Sequence, residues 1–385
     1  MKNPKRKILF ITERRADYSR LKPIMKAVRK SPHLELQLIV TGMHLLKKFG
    51  ETKKNIEKDG FKIDAVVPIF SEDDEDDGAS MVKGMGKALI AFADLFPQLK
   101  PTIVFSGFDI GANFAAAVTG MHLNIHVAHI QGGEVSGTID EVIRHGMTKF
   151  SHIHFAATKK SAKRIERLGE NPKYIFNVGS PSLDTIHHIN YPTKKVMAKM
   201  YNFEPNKPLI LILQHPVTTE VDEVISQIKE TIDAVKDINQ KFNSQAIAVY
   251  SNNDAGGKRI VDYLNRSGIQ SFAHISYEDF LRLMKVADVL VGNSSAGIHE
   301  APSLKLPTIN IGSRQQLRER RNNIIDVDHN KEQIVKAIKK ALFDKNFRSK
   351  VNRGSNPYDG GDTAKKVIHI LETIKLPPIQ KVITY

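Results

Sequence analysis

Short apolar runs alternate with amphipathic stretches along the chain, and that rhythm predicts its elements. Residues 7–12, KILFIT, read as a strand, and helical spacing follows over 21–30. Residues 34–42, LELQLIVTG, read as the next strand, followed by a helix over 45–59 and a strand over 64–70. A long amphipathic helix is expected over 81–99, then a strand over 102–107, a helix over 113–122 and a strand over 125–130. Residues 152–158 form another strand, and the helix over 160–169 closes on Gly169, a common C-terminal stop.

The stretch 188–208 holds Pro192, Pro205 and Pro208 and no strong strand, which places a domain junction there. The rhythm then restarts, with strands over 209–215, 245–252, 272–276, 288–297 (with its loop) and 306–312. Helices are expected over 221–239, 258–268, 277–287, 332–344 and 364–374. Such alternation implies parallel sheets covered by helices on both faces. The expected fold class is α/β, with two Rossmann-like doubly wound domains over 1–187 and 188–360. A C-terminal helix and tail over 361–385 is expected to pack back on the first domain.

Composition narrows the function classes. A length of 385 residues fits two cores better than one. The chain has no cysteine, which excludes disulfides and thiolate metal sites. The basic start MKNPKRK runs into a short strand rather than a signal-peptide core, and no apolar run reaches the roughly 18 residues of a membrane span. A cytoplasmic protein without a membrane span is the expectation. The net charge of +15 suits an anionic small ligand. Lysine and arginine are scattered and no nucleic-acid motif is present, so nucleic acid is not an expected partner.

Four segments carry candidate chemistry. Residues 12–19, TERRADYS, follow the first strand, where open parallel sheets bind ligands. Arg14 and Arg15 offer forked guanidinium groups to a phosphate; the alternative is two solvated arginines over an Asp17 helix cap. Residues 291–300, VGNSSAGIHE, present open backbone N–H groups and the Ser294 and Ser295 hydroxyls at a helix N-terminus. There Glu300 can accept two ribose hydroxyls, and the alternative is a polar turn with an N-cap serine. Residues 213–219, LQHPVTT, place His215 at a strand end as acid, base or donor to a sugar, or as a satisfied structural histidine. Residues 129–144, HIQGGEVSGTIDEVIR, put Glu134, Asp140, Glu141 and Arg144, with His145 next, on a glycine-rich segment suited to proton transfer. The alternative is a turn leading into a helix whose dipole Asp140 and Glu141 complement.

The strings RADYSRLKPIMKAV, HIQGGEVSGTIDEVIRHGMTKFSHIHF, LQHPVTTE, NDAGGK, VGNSSAGIHE and NIGSRQ, taken in this order, resemble the hydrolysing UDP-N-acetylglucosamine 2-epimerases of the sialic-acid pathway. The likeness covers about residues 7–320. It implies a glycosyltransferase-B-type fold, a UDP-sugar held between the two halves, a homodimer or homotetramer, and no metal or redox cofactor. It also implies loss of UDP from C1 together with the C2 proton, giving an N-acetylglycal. Water then adds to C1 and a proton returns to the opposite face of C2, releasing N-acetylmannosamine and UDP. By position, Arg15 would hold phosphate, Ser294 and Ser295 the diphosphate, and Glu300 the ribose. Asn252 would lie beside the uridine, and His215 and Arg314 at the sugar–phosphate region. Asp140, Glu141, Arg144 and His145 would line the sugar pocket, and His44, His129 and Gln131 complete the substrate-binding set. The catalytic candidates are Asp109, Glu134, Asp140, Glu141 and His215.

The chain departs from the family pattern twice. Where the family reads Gly-Asp-Arg, this chain reads Gly107-Phe108-Asp109, so an aromatic takes the aspartate's place and Asp109 lacks the arginine partner. Where the family reads His-x-Glu-Gly-Gly, Gln131 supplies an amide, which cannot act as a base. These departures support two alternatives, a glycosyltransferase-B-fold transferase and a non-catalytic nucleotide-sugar-binding homologue. A diacetamido sugar is a further substrate option for the epimerase. Aspartate at 108 and glutamate at 131 are expected to discriminate: a gain of hydrolysis marks a silenced epimerase site.

Overall fold

A strand buried on both faces needs side chains without charge, and residues 8–12 of β1 (Arg6–Thr12) meet that condition. β1 is an interior strand, third in order, of a seven-stranded parallel sheet in the computed structural model, which describes residues 4–75, 77–251, 254–273 and 275–385. The other six strands are β2 (Leu34–Thr41), β3 (Ala65–Val67), β4 (Ile103–Ser106), β5 (His126–Ile130), β6 (Ile153–Ala156) and β7 (Ile175–Asn177). Their order is β3-β2-β1-β4-β5-β6-β7. This sheet belongs to a first compact unit made of the residues up to Glu134, Asp140–Asp184 and Tyr358–Tyr385.

One face of the sheet buries Leu21, Ile24 and Met25 of the helix Arg15–Lys30, with Val367 and Leu371 of the C-terminal helix Thr363–Thr373. The other face buries Phe92 and Phe96 of the helix Gly78–Leu99 and the alanines of the helix Gly111–His122. The C-terminal helix is tied down at its start: the Asp184 carboxylate accepts Thr363 N–H at 2.9 Å and Ala364 N–H at 2.7 Å. The tail beyond it is held by two rings, His126 Nε2 at 2.8 Å from the Pro377 carbonyl and His152 Nε2 at 3.0 Å from that of Ile379.

The second unit comprises Val135–Ile139 and Thr185–Pro357. Its six parallel strands are β8 (Leu209–Leu213), β9 (Gln245–Val249), β10 (Gln270–Phe272), β11 (Val289–Gly292), β12 (Thr308–Ile311) and β13 (Ile324–Val327), in the order β10-β9-β8-β11-β12-β13. The helices Val224–Phe242 and Lys331–Phe343 bury apolar faces against it. Both sheets are doubly wound. Strand order reverses between β1 and β4 in the first and between β8 and β11 in the second, and ligand crevices open beyond the strand ends at such points.

The hydrophobic rhythm misplaces several weaker elements. The helix expected over 45–59 is broken into short 3₁₀ turns, Gly42–Leu45 and Lys47–Phe49, and a six-residue helix, Lys53–Lys58. Gly50, at φ +87°, sits in the left-handed region and interrupts it. The strand expected over 64–70 is only Ala65–Val67, and that expected over 272–276 is shifted to Gln270–Phe272; both are sheet edges. The junction stretch holds a helix, Lys194–Tyr201, and β13 and the helix Lys345–Asn352 were not foreseen. Among the described residues, no helix is long and apolar enough to cross a membrane, and no His/Asp/Glu group is arranged to hold a metal ion.

Candidate active site

In the first unit, the chain leaving β1 turns at once into a helix, and the turn is held by Asp17. Its carboxylate accepts Glu13 N–H at 2.9 Å, Arg14 N–H at 3.0 Å and the Thr12 hydroxyl at 2.9 Å. Asp17, in the first turn of the helix, thus caps the backbone of its N-terminus as the second reading had it, but the arginines of that reading are not solvated: Arg14 and Arg15 are both partly buried. Burial pushes its carboxyl up to about 6, against hydrogen bonds from Glu13 and Thr12 that favour the ionised form. The Thr12 hydroxyl also lies 2.9 Å from His44 Nε2, and His44 Nδ1 lies 2.7 Å from the Thr52 hydroxyl. Because Thr12 donates to Asp17, His44 carries its proton on Nε2 and Thr52 donates to Nδ1. Burial, then the charge of Arg15, holds this imidazole down at about 3. His44 is therefore placed beneath the loop as a neutral support, with both nitrogens committed, rather than toward a ligand. Arg15 is half-buried at the same strand end, and burial lowers its pKa.

Glu13, which the sequence reading did not single out, is buried at the same turn. Its Oε2 accepts the backbone N–H of Ala112 at 2.9 Å, across the switch point from β1 to the helix after β4. Gly42, at the end of β2, makes room for it: a Cβ at 42 would stand 2.4 Å from Glu13 Cγ, and the backbone there has φ +59°.

The β4 loop resolves the first departure from the family pattern. Asn113 holds its entry, accepting Gly107 N–H at 2.8 Å through Oδ1 and the Ser106 hydroxyl at 2.8 Å through its carbonyl. Phe108 turns into the hydrophobic core with Leu21 and Phe105, and the Arg20 guanidinium lies 5.4 Å over its ring. Asp109 turns the other way and pairs with Arg144. The expectation that Asp109 lacks an arginine is thus corrected: the partner comes from the helix Asp140–Phe150, far along the chain.

Arg144 organises the rest of the cluster. It is buried, and its Nη1 donates to the Glu134 carbonyl at 3.1 Å and to Glu141 Oε2 at 3.3 Å. Burial opposes its charge, but Asp109, Glu134 and Asp140 outweigh that and raise its pKa. His145 Nε2 lies 3.0 Å from Glu141 Oε1. Gln131 sits in the left-handed region at φ +60°, and its amide donates to Glu134 Oε1 at 3.0 Å and to the Ser180 hydroxyl at 3.3 Å. The second departure therefore has a use that a carboxylate could not serve: the amide orients Glu134. His129 is fully buried nearby, and its ring nitrogens have no hydrogen-bond partner among the described residues. Burial, with His154 next to it, holds that ring neutral at about 3. The first unit thus brings Asp109, His129, Gln131, Glu134, Asp140, Glu141, Arg144 and His145 to one place, beyond β4 and β5.

The second unit repeats the design with different groups. At its switch point, β11 passes so close to β8 that a Cβ at Gly292 would stand 2.1 Å from the Leu213 carbonyl oxygen. Asn293, fully buried, then grips the chain after β8 by two bonds: its Oδ1 accepts His215 N–H at 2.7 Å and its Nδ2 donates to the His215 carbonyl at 2.8 Å. The Asn293 carbonyl in turn accepts Arg314 Nη1 at 3.3 Å and Gln315 Nε2 at 3.0 Å. Arg314 Nη2 lies 3.8 Å from Asp254. His215 and Arg314 are thereby fixed to one asparagine, and Ser294 and Ser295 follow it directly.

Of the N–H groups expected to be open here, those that follow Ser295 are bonded within the segment itself. Ala296 N–H goes to the Ser294 hydroxyl at 3.3 Å, Gly297 N–H to the Ser294 carbonyl at 3.1 Å, and His299 N–H to the Ser295 carbonyl at 2.9 Å. The helices that follow, Ala296–His299 and Ala301–Leu304, have four residues each, so a helix dipole contributes little. This strand end brings together the hydroxyls of Ser294 and Ser295 and the guanidinium of Arg314. Glu300 is buried, and its Oε1 accepts the Tyr277 hydroxyl at 3.1 Å. Asn252 lies outside the described residues. Glu13, Asn293 and Tyr277 were missed. Asn293 at least had a signal, a polar residue directly between a strand-ending glycine and two serines.

In chemical terms, one unit offers carboxylates gathered on a buried arginine, suited to moving protons. The other offers an arginine and hydroxyls suited to an anion. Residues 26–372 match the protein family described as UDP-N-acetylglucosamine 2-epimerase. The chain is 37% identical over 375 residues to a UDP-N,N'-diacetylbacillosamine 2-epimerase (hydrolyzing) of Legionella pneumophila, covering 96% of this chain and 97% of that one. It is 37% identical over 333 residues to a GDP/UDP-N,N'-diacetylbacillosamine 2-epimerase (hydrolyzing) of Campylobacter jejuni, covering 85% of each. Its fold matches the crystal structure of UDP-GlcNAc 2-epimerase from Neisseria meningitidis bound to UDP-GlcNAc, with a TM-score of 0.81 at 19% identity, over 95% of this chain and 99% of that one. With two doubly wound domains of glycosyltransferase-B type and a family match over most of its length, this chain belongs to the UDP-N-acetylglucosamine 2-epimerase family.

Proposed function

We propose that the protein is a hydrolysing 2-epimerase acting on a UDP-linked 2-acetamido sugar, and that a 2,4-diacetamido sugar is its preferred substrate. The observation that carries the reading is the Asp109–Arg144 pair, with the Glu141 carboxylate on the same guanidinium and the Glu134 carboxylate held beside it by Gln131. A buried guanidinium that gathers carboxylates puts acid–base groups side by side at a strand end, the arrangement needed where a proton is taken from carbon. The diacetamido preference is supported by the two relatives at 37% identity, whose substrates are N,N'-diacetylbacillosamine nucleotides.

In this reading one carboxylate of the Asp109, Glu134, Asp140, Glu141 set removes the C2 proton. The C1–O bond to UDP breaks with its electron pair on the diphosphate, leaving a C1=C2 glycal. Water adds to C1, and a second group of the set returns a proton to C2 from the opposite face. Arg15, Arg314, Ser294 and Ser295 hold the departing diphosphate, Glu300 and Asn252 the nucleoside, and His215 the sugar–phosphate link. His129, Gln131, Arg144 and His145 bind and orient the sugar side, and the two units serve as the sugar-side and UDP-binding domains. A cytoplasmic homodimer or homotetramer completes the proposal, supported by the exposed Val82 and Ile90 on the helix Gly78–Leu99.

The test is UDP release from UDP-N-acetylglucosamine and from the UDP-2,4-diacetamido sugar, side by side. A higher kcat/KM on the diacetamido sugar supports the preference. Equal or better use of UDP-N-acetylglucosamine removes it. UDP release only when an acceptor alcohol is present replaces the epimerase reading with the transferase.

A further inference from the structure

The helix Gly111–His122 starts directly after the Asp109 turn, and its N-cap residue is Ile110, whose side chain makes no capping bond. An isoleucine has no oxygen to offer the first N–H groups of a helix, which ordinarily take one from Ser, Thr, Asp or Asn. Here the oxygen comes from the far side of the switch point. Glu13, at the end of β1, reaches across and accepts Ala112 N–H at 2.9 Å. Its other carboxylate oxygen lies 3.7 Å from the Arg14 guanidinium, and its stem occupies the space left by Gly42. The turn carrying Asp109 is thus held at both ends, by Asn113 at Gly107 and by Glu13 at Ala112.

We propose that Glu13 is a positioning residue for the reaction: it caps the helix after β4 in trans and so holds Asp109 against Arg144. The proposal rests on the epimerase reading for its catalytic consequence, and on the Ala112 bond alone for its structural one. It separates reach from charge. Glu13→Asp keeps the charge but is one methylene short of Ala112. Glu13→Gln loses the charge but keeps an oxygen at the same reach.

The experiment measures amide hydrogen exchange over residues 110–114 and steady-state UDP release for the unaltered chain, E13D and E13Q. In E13D, exchange over 110–114 speeds up by about five- to tenfold, the size expected for a lost helix cap. Its kcat falls by at least about tenfold with KM within about twofold, as when a positioned catalytic group is loosened. E13Q stays within about threefold of the unaltered chain in both. The proposal is overturned if E13D exchanges and turns over like the unaltered chain, or if E13Q loses as much as E13D. It is also overturned if exchange speeds up while kcat stays. A chain that releases no UDP from any UDP-2-acetamido sugar defeats the epimerase reading. The exchange comparison then still decides whether Glu13 holds the turn, and unchanged exchange in E13D rejects it.

Discussion

At Asp109 the carboxylate meets a guanidinium that is itself buried, so removing either charge costs the other its ion pair. Asp109→Asn should lower turnover by about 10²–10⁴-fold while UDP affinity by calorimetry stays unchanged, the signature of a lost acid–base group. Arg144→Met should cost about 1–3 kcal/mol of stability in urea unfolding, because it takes the guanidinium away from the half-buried carboxylates of Asp109 and Glu141. The two departures from the family pattern lead to opposite expectations from those the sequence suggested. Phe108→Asp puts a carboxylate into the core beside Leu21 and should destabilise by about 3–5 kcal/mol with no gain in hydrolysis. Gln131→Glu sets a second carboxylate 3.0 Å from Glu134, and should lower activity near neutral pH and move the acid limb of the pH–rate profile upward. Increased hydrolysis in either variant would count against the orientation found here. The sequence could list 108, 109 and 131 as departures. It could not say that alternate residues of one turn face core and site, because a four-residue loop has no periodicity to read.

The elements that carry the site are central strands, and these were legible. β1, β4, β8 and β11 are apolar on both faces because helices cover both sides of each sheet, so they read as continuous apolar runs. Edge strands β3, β10 and β13 have three or four half-covered residues, too few for either period to show. The partners of the cross-links between strand ends were not legible, even where, as at Asn293, the residue itself stood out. Glu13 and Asn293 each bridge a switch point by bonds to backbone far along the chain, Ala112 in one unit and His215 in the other. Such contacts leave no spacing signal. Asn293→Ala removes both side-chain bonds to His215, leaving the Arg314 bond to the backbone carbonyl, and should cost roughly 1–3 kcal/mol while raising KM for the UDP-sugar through the loosened His215. A variant with unchanged stability and KM would show that Asn293 does not hold that strand end.

For the whole molecule, the pH dependence of stability follows from histidines that fold without their protons. His44 and His129 are held at about 3 and His152 at about 4, in each case mainly by burial. In the unfolded chain these groups titrate near 6.5, so their contribution is complete above that pH and is lost as pH falls toward the folded values. Asp17 acts the other way: its carboxyl is raised to about 6, so its contribution is present below the ordinary carboxylate range and is lost as pH rises through 6. Three groups oppose one, and the urea midpoint should fall between about pH 7 and about pH 5. His152 shows the cause plainly, since its Nδ1 accepts Val127 N–H at 3.1 Å and a proton there would break that bond. A midpoint that rises on acidification would contradict this account.

The central claim is that this carboxylate–arginine cluster exchanges a proton at C2 while UDP departs. The most direct measurement is turnover of the UDP-2-acetamido sugar in D₂O, with the released sugar read by NMR. The account predicts free sugar of inverted configuration at C2, carrying deuterium there, in step with UDP release, with both absent in Asp109→Asn. UDP released with C2 protonated as in the substrate, or with its configuration retained, would contradict it.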